Sequence, residues 1–318
     1  MKMLLTEQFA AMGTTCATGV TTVPADVRGA RRALAAGRAE VDRCERALSR
    51  FDPASDLSRL NAASGSWIHV DERLVDVLAR AVRLREQTRG RFDPTILPAL
   101  VAAGYDRTFA ELEPRAPRTA AGWRAGAAVD VDVGAGRARV EDGAAVDLGG
   151  IGKGFSAVRA LDAMAGAWPE MPGGLVDLGG DVSVRGWTPD GDAWRVAVAD
   201  PRRPGQELAT LALDGGGVAT SGRDRRRFGP NRSLHHLIDP KTGTPAAAGP
   251  LSVTVTGPDA GEAEAYATAL AISSPDDSRA LLAAVPLLAA LVVPTDGTPF
   301  VLGSLPLLEP RLHLPASA

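Results

Sequence analysis

Cysteine, histidine and long apolar runs are all scarce in this chain. Its 318 residues include two cysteines, Cys16 and Cys44, and neither belongs to a C-x-x-C pair. That argues against a disulfide framework and against a zinc site. No apolar run approaches the roughly 20 residues of a membrane span. The opening MKMLLTEQFA has only three consecutive apolar residues before Glu7, too few for the core of a signal peptide. The expected location is cytoplasmic. An excess of basic charge is absent too. The formal net charge is −3, and arginines alternate with acids, as in RAEVDRCERALSRF. That pattern reads as a solvated helix face, and no nucleic-acid partner is expected.

What is present suits a soluble globular protein, with 45% apolar and 23% charged residues and length enough for a real core. Residues 25–51 place Val27, Leu34, Val41, Cys44, Leu48 and Phe51 on one helical face, and 72–90 repeat the pattern, with Gly90 as the stop. Residues 111–127 are rich in Pro, Arg and Gly and read as a surface excursion. AVDVDVGAGRARV (128–140) alternates on both sides of Gly-Ala-Gly and predicts a hairpin. WRVAVAD, LATLALD, LSVTVTG and LLAALVV read as strands, and DAGEAEAYATALAI (259–272) as a helix. The tail GSLPLLEPRLHLPASA is expected to be extended. VDLGG occurs twice, at 146–150 and 176–180, with helical spacing between the copies. Strand, helix and strand at that separation predict a parallel βαβ unit around 145–180 within one α+β body.

The stretch AVDLGGIGKGFSA (145–157) carries four glycines and a lysine between Gly149 and Gly154. A Walker A loop fails, because Gly154 follows Lys153 where Ser or Thr is needed and Asp147 holds the place of the first glycine. A dinucleotide fingerprint fails on spacing. Two readings stay open. Helix N-terminal amides with Lys153 can hold a phosphate or pyrophosphate; or the glycines serve a tight, well-packed turn. Asp147, repulsive beside a phosphate, needs another task, either a bond to a base or sugar or a cap on its own turn. Glu264 and Thr268 lie four apart on a helix, hence on one face, and are hard oxygen donors suited to Mg²⁺; equally, they are ordinary surface residues of an Ala-rich helix. HHLIDPKTGTP (235–245) suggests a metal through His235, His236 and Asp239, or simply one exposed and one hydrogen-bonded histidine. VATSG (218–222) ends a strand in hydroxyls and a glycine, the kind that meets phosphate or ribose.

Taken in order, these stretches resemble the FAD:protein FMN transferase (ApbE-like) family. The resemblance runs from about Met12 to Leu270 and rests on AMGTT, LSRFDPASDLSRLN, GRFDPTI, VDLGGIGKGF, LVDLGGD, ATSG, HHLIDPKTGTP and EAYATAL. It implies an α+β fold of mixed, largely antiparallel sheets with packed helices, related to the T-fold, as a single domain over 1–318 with room for two subdomains sharing the FAD cleft. It implies a Mg²⁺-dependent enzyme that moves FMN from FAD onto a threonine or serine hydroxyl of a target flavoprotein and releases AMP. Carried over by position, Met12 and Phe51 line the flavin or adenine pocket, and Arg91, Phe92 and Asp93 contact FAD. Asp147 and Lys153 hold the nucleotide, with Leu237 and Ala267 against it. The Gly150 carbonyl, Glu264 and Thr268 ligate the metal, and His236 stands near the phosphates as the catalytic partner of Lys153.

The chain departs from that pattern in three respects. Glu264 stands where the family usually has Asp. KGFSAV replaces KGYAVD, so Phe155 and Val158 remove a hydroxyl and a charge. The export or lipoprotein signal of many relatives is not seen. Two other functions fit nearly the same residues: an FAD pyrophosphatase yielding FMN and AMP, and a non-catalytic FAD carrier.

Overall fold

The computed structural model describes residues 1–118, 120 and 122–308. Strands β1 (Met3–Ala11) and β2 (Thr14–Thr22) form a hairpin whose register runs from Met3↔Thr22 to Ala11↔Thr14. Its two turn residues, Met12 and Gly13, both have positive φ, 50° and 68°, as the primed hairpin turns require. Gly adopts this freely, whereas Met does so only under strain.

Helix α1 (Val27–Leu48) follows, its buried stripe including Ala30, Leu34, Val41, Cys44 and Leu48. A short α2 (Asp56–Asn61) is capped by the Ser55 hydroxyl. After β3 (Ile68–His69) comes α3 (Glu72–Gln87), capped by Asp71. Gly90 stops it as expected, its amide donating to the Arg85 carbonyl at 2.8 Å. Helix α4 (Leu97–Ala103) leads to an excursion whose residues 113–118 are exposed. The predicted hairpin is β4 (Val129–Asp132) and β5 (Arg137–Val140), to which β3 adds a third strand.

Helix α5 (Gly152–Ala167) precedes β6 (Gly173–Leu178), β7 (Val182–Gly186), β8 (Trp194–Ala199), β9 (Glu207–Leu213) and β10 (Gly215–Gly222). Four two-residue strands, β11 (Arg227–Phe228), β12 (Leu234–His235), β13 (Ile238–Asp239) and β14 (Thr244–Pro245), pair locally. The chain then forms β15 (Ser252–Gly257), α6 (Ala260–Leu270), α7 (Pro275–Leu282), β16 (Ala289–Val293) and β17 (Phe300–Leu302). Among the described residues, eight strands make the main sheet, in the order β1-β2-β6-β7-β10-β15-β16-β17. Every pair in it is antiparallel. The α+β class with largely antiparallel sheets is therefore the observed one.

The expected βαβ unit is not. Residues 145–150 form no strand. Asn61 takes a strand's place, its amide group donating to the Val146 carbonyl at 2.9 Å and its Oδ1 accepting from the Val146 amide at 2.7 Å. The Asp147 amide donates to Pro94 O. With those backbone groups satisfied by a side chain and a loop, no ladder forms, and β6 instead runs antiparallel to both β2 and β7.

One face of the sheet packs on helices. Cys16, Val20, Val176 and Leu178 meet the apolar stripes of α1 and α5, while Val253 and Val255 meet α6 and join the α3 core. The other face carries the β8–β9 hairpin, with Leu305 and Leu307 packed beside it. The rest of the predicted extended tail, 309–318, lies outside the described residues.

Candidate functional site

A cavity of about 470 Å³ opens where the β1–β2 turn, the β6–β7 turn and the end of β10 converge on the N-terminus of α5. Met12, Phe51, Arg91, Phe92, Asp93, Asp147, Gly150, Lys153, His236, Leu237, Glu264 and Thr268 all line it. Ala267 does not. It is fully buried in the core, because successive residues on a helix point about 100° apart and Thr268 takes the direction of the cavity.

Two glycines let the walls close. Gly150 sits against α6, and a Cβ there would lie 2.9 Å from Thr268 Oγ1 and 3.3 Å from the Phe92 ring. A Cβ at Gly154 would collide with the Ala260 carbonyl, so α5 and α6 can cross only with glycine there. That crossing puts Glu264 on the N-terminus of α5. Glu264 is 3% exposed, not the surface residue that an Ala-rich helix suggests. Its Oε2 accepts from the Gly154 amide at 2.8 Å and its Oε1 from Lys153 Nζ at 2.8 Å. Lys153 also pairs with Asp181, from the β6–β7 turn. Thr268 Oγ1 lies 3.3 Å from the Ser221 hydroxyl.

Asp147 does cap its own turn, Oδ1 accepting from the Gly149 amide at 2.8 Å. Its Oδ2 pairs with Arg50 Nε at 2.7 Å, both side chains nearly buried. Arg50 in turn lies over the rings of Phe51 and Tyr105, 4.1 and 4.8 Å from their centroids. Tyr105 packs further on Phe109 and Phe228. Phe51 and Phe109, 41% and 40% exposed, make this an apolar wall open to solvent. Of the GRFDPTI residues, Asp93 is committed to the fold. Its carboxylate accepts from the Thr95 amide, the Thr95 hydroxyl and the Gly126 amide. Arg91 donates to Asp277 at 2.6 Å.

The two histidines differ. His235 is buried, with Nε2 accepting from Arg223 Nε at 3.1 Å and lying 3.1 Å from the Ala246 carbonyl. Burial and Arg223 push its pKa down to about 4. His236 lines the cavity, and its Nδ1 has no hydrogen-bond partner among the described residues. Burial, with Arg226, His235 and Lys153 nearby, depresses its pKa to about 3, so its imidazole is neutral at physiological pH.

No cluster of three or more His, Cys, Asp or Glu side chains able to hold a metal occurs among the described residues. The oxygens at the α5–α6 crossing are of another kind, the Glu264 carboxylate and the Thr268 hydroxyl with the Gly150 backbone against it, and such hard donors suit a divalent cation. Gly150 pressed against Thr268 Oγ1 is the cradle, and two carboxylates face one ammonium beside it. Sequence reasoning missed Asp181, Arg50 and Tyr105, whereas Ser221 is one of the VATSG hydroxyls it singled out. Asp181 closes the second VDLGG copy and Arg50 precedes Phe51, so both stood inside quoted motifs. Among the described residues no helix is long and apolar enough to cross a membrane.

The model of the ApbE family matches residues 12–292. The chain is similar to an FAD:protein FMN transferase of Treponema pallidum, 33% identical over 79% of this chain and 74% of that protein. A second FAD:protein FMN transferase, from Klebsiella pneumoniae, is 29% identical over 82% of this chain and 76% of its own length. The crystal structure of the ApbE protein of Thermotoga maritima superposes with a TM-score of 0.80 at 28% identity, covering 93% of this chain and 96% of that one. The flavin transferase ApbE of Vibrio cholerae, 22% identical, shares the fold with a TM-score of 0.79 over 95% of this chain and 97% of its own.

Proposed function

This chain belongs to the ApbE family, and we infer from that membership that it is an FAD:protein FMN transferase, acting on a threonine or serine hydroxyl of a partner protein and releasing AMP. The observation that carries this reading is the cavity itself, which joins Lys153 at the glycine-rich N-terminus of α5 to an oxygen-rich corner on α6 and an open aromatic wall. A flavin dinucleotide has the matching parts, with a pyrophosphate between two ring systems.

The Gly150 carbonyl, Glu264 and Thr268 would hold Mg²⁺. Bound there, Mg²⁺ supplies a Lewis acid that offsets pyrophosphate charge. The remaining work falls to the chain's own groups. The Lys153 ammonium, with the positive end of the α5 dipole behind it, binds the pyrophosphate and orients it, since the Gly152 and Gly154 amides already serve the Leu148 carbonyl and Glu264. Phe51 and Tyr105, stiffened by Arg50 above them, offer a face for a ring. Asp147, its charge paired with Arg50 and its other oxygen on the Gly149 amide, repels the phosphates less than a free carboxylate would. The acceptor oxygen forms a bond to the FMN-side phosphorus as the bond to the AMP oxygen breaks, and the hydroxyl proton leaves. His236, neutral and without a partner on Nδ1 among the described residues, takes that proton; an anion bound beside it raises its pKa toward a useful range. Positioning and electrostatics supply most of phosphoryl-transfer catalysis, which this arrangement suits.

The test is intact-mass analysis of a candidate acceptor after incubation with FAD, Mg²⁺ and the protein. The expected outcome is an FMN-sized gain, lost on adding chelator. Free FMN and AMP with no gain would mean a pyrophosphatase, and bound FAD without AMP would mean a carrier.

A further inference from the structure

Lys153 is tied to two carboxylates at once, one of them on the residue that would hold a divalent cation. Both Glu264 oxygens are already engaged, Oε2 by the Gly154 amide and Oε1 by Lys153. The Gly154 amide belongs to the backbone at the α5–α6 crossing and cannot be withdrawn without moving a helix. The ammonium ends a flexible four-carbon stem and is the only one of the two partners free to move. Its other anchor, Asp181, is 3% exposed and projects from the β6–β7 turn.

We propose that Lys153 is the resident cation of the metal corner, exchanging at Glu264 with a divalent ion, and that Asp181 is the positioning residue that keeps the displaced ammonium on the cavity wall. The inference rests on the metal reading given above. Two carboxylates against one ammonium leave a net charge of −1 in the empty corner, which repels pyrophosphate. A divalent ion turns the same group to +1 and leaves Lys153 facing the substrate. Like charges then keep the ammonium off Glu264, so metal and dinucleotide favour each other's binding.

The test is titration of the FAD-free enzyme with MnCl₂ and MgCl₂ by calorimetry, using the wild type, Lys153→Met and Lys153→Arg. Lys153→Met, which removes the competing charge, is expected to bind the metal at least tenfold more tightly. Lys153→Arg, which restores it, is expected to bind like the wild type. Equal or weaker binding by Lys153→Met overturns the proposal. No binding by the wild type, with or without FAD, overturns the metal reading and the proposal with it.

A second measurement needs no substitution at the lysine. The chain has three lysines, Lys2, Lys153 and Lys241, so acetylation footprinting reads Lys153 directly against two internal controls. Mg²⁺ is expected to raise Lys153 labelling at least threefold in the wild type, and further in Asp181→Asn, with Lys2 and Lys241 unchanged. Labelling of Lys153 that ignores Mg²⁺ overturns the exchange. Equal Mg²⁺-dependent labelling in Asp181→Asn overturns the anchoring role of Asp181.

Discussion

Two ion clusters in this molecule mirror each other. Around Glu40 on α1, one buried carboxylate receives Arg43 from its own helix, Arg73 from α3 and Arg159 from α5, all within 2.7–3.0 Å. Around Lys153, one ammonium receives two carboxylates from different elements. The Glu40 cluster is closed. Its arginines go on to Asp71, Glu72 and Asp76, and none of its members lines the cavity. The Lys153 cluster faces the cavity and carries one carboxylate more than it can neutralise. Both clusters carry one carboxylate more than their cations neutralise, so what separates cohesion from function is place: one excess charge lies between helices away from the cavity, the other faces it. Burial alone would raise the Glu40 pKa, but hydrogen bonds from Arg73, Arg159 and Arg43 hold it down to about 2, which marks it as a stabilising group.

Breaking each hub separates the two roles. The largest effect is expected at Glu264→Ala, which removes the carboxylate from the cavity corner. Mg²⁺-dependent AMP release should fall at least 10³-fold, about 4 kcal/mol of transition-state stabilisation, while circular dichroism and the melting profile stay those of a folded protein. Undiminished AMP release would count against the metal assignment. Glu40→Gln should do the reverse. Three arginines lose a buried partner, costing about 3 kcal/mol of stability, read as a lower urea midpoint at unchanged slope. Turnover per folded molecule should be that of the wild type. A drop in turnover without a drop in stability would erase the distinction.

Lys153→Ala sharpens the comparison from the other side. It should weaken FAD binding about tenfold, or 1.4 kcal/mol, as measured by flavin fluorescence titration in Mg²⁺. That loss is opposite in sign to the metal affinity gained by removing the same charge. An unchanged FAD titration would take Lys153 out of the substrate site.

How much of this was legible in the sequence follows from where each signal resides. The helices α1, α3 and α6 and the β4–β5 hairpin announce themselves by local periodicity. The β1–β2 hairpin does not, because its turn is Met12–Gly13 rather than Asn-Gly; the Met12 amide, at positive φ, donates to the Glu45 carboxylate at 2.6 Å, a contact 33 positions away. The strand expected at 145–150 fails for a related reason. Its alternation is real, but its partner is the side chain of Asn61, 85 positions away. At the site, the ordered motifs mark most lining residues, because they are contiguous stretches, but not Tyr105 and Phe109 of the aromatic wall. The motifs do not reveal pairings between stretches. Arg50 with Asp147, and Asp181 with Lys153, are contacts between distant segments, and only the fold brings them together. Glu264 was legible as a donor but not as a buried one, since helix periodicity cannot say that α6 is covered on nearly every side.

The smallest expected effect tests whether the closed cluster behaves as its charges require. Glu40 is held to about 2 in the folded protein against an ordinary value near 4.5. A carboxyl whose folded pKa is depressed stabilises the fold fully above its unfolded pKa, and that contribution is lost as the pH falls through 4.5 toward 2. Buried neutral His235 and His236 also cost stability on acidification, from about 6.5 downward, because the unfolded chain takes up protons that the folded chain refuses. Their effect is common to the wild type and Glu40→Gln, so the difference between the two proteins isolates the carboxyl. That difference should be constant from pH 8 to pH 6 and shrink by roughly 1 kcal/mol at pH 4, read from urea midpoints at each pH. A difference that holds unchanged to pH 3 would mean that the Glu40 carboxyl takes up its proton alike in the folded and the unfolded chain, and that the three arginines do not hold its charge.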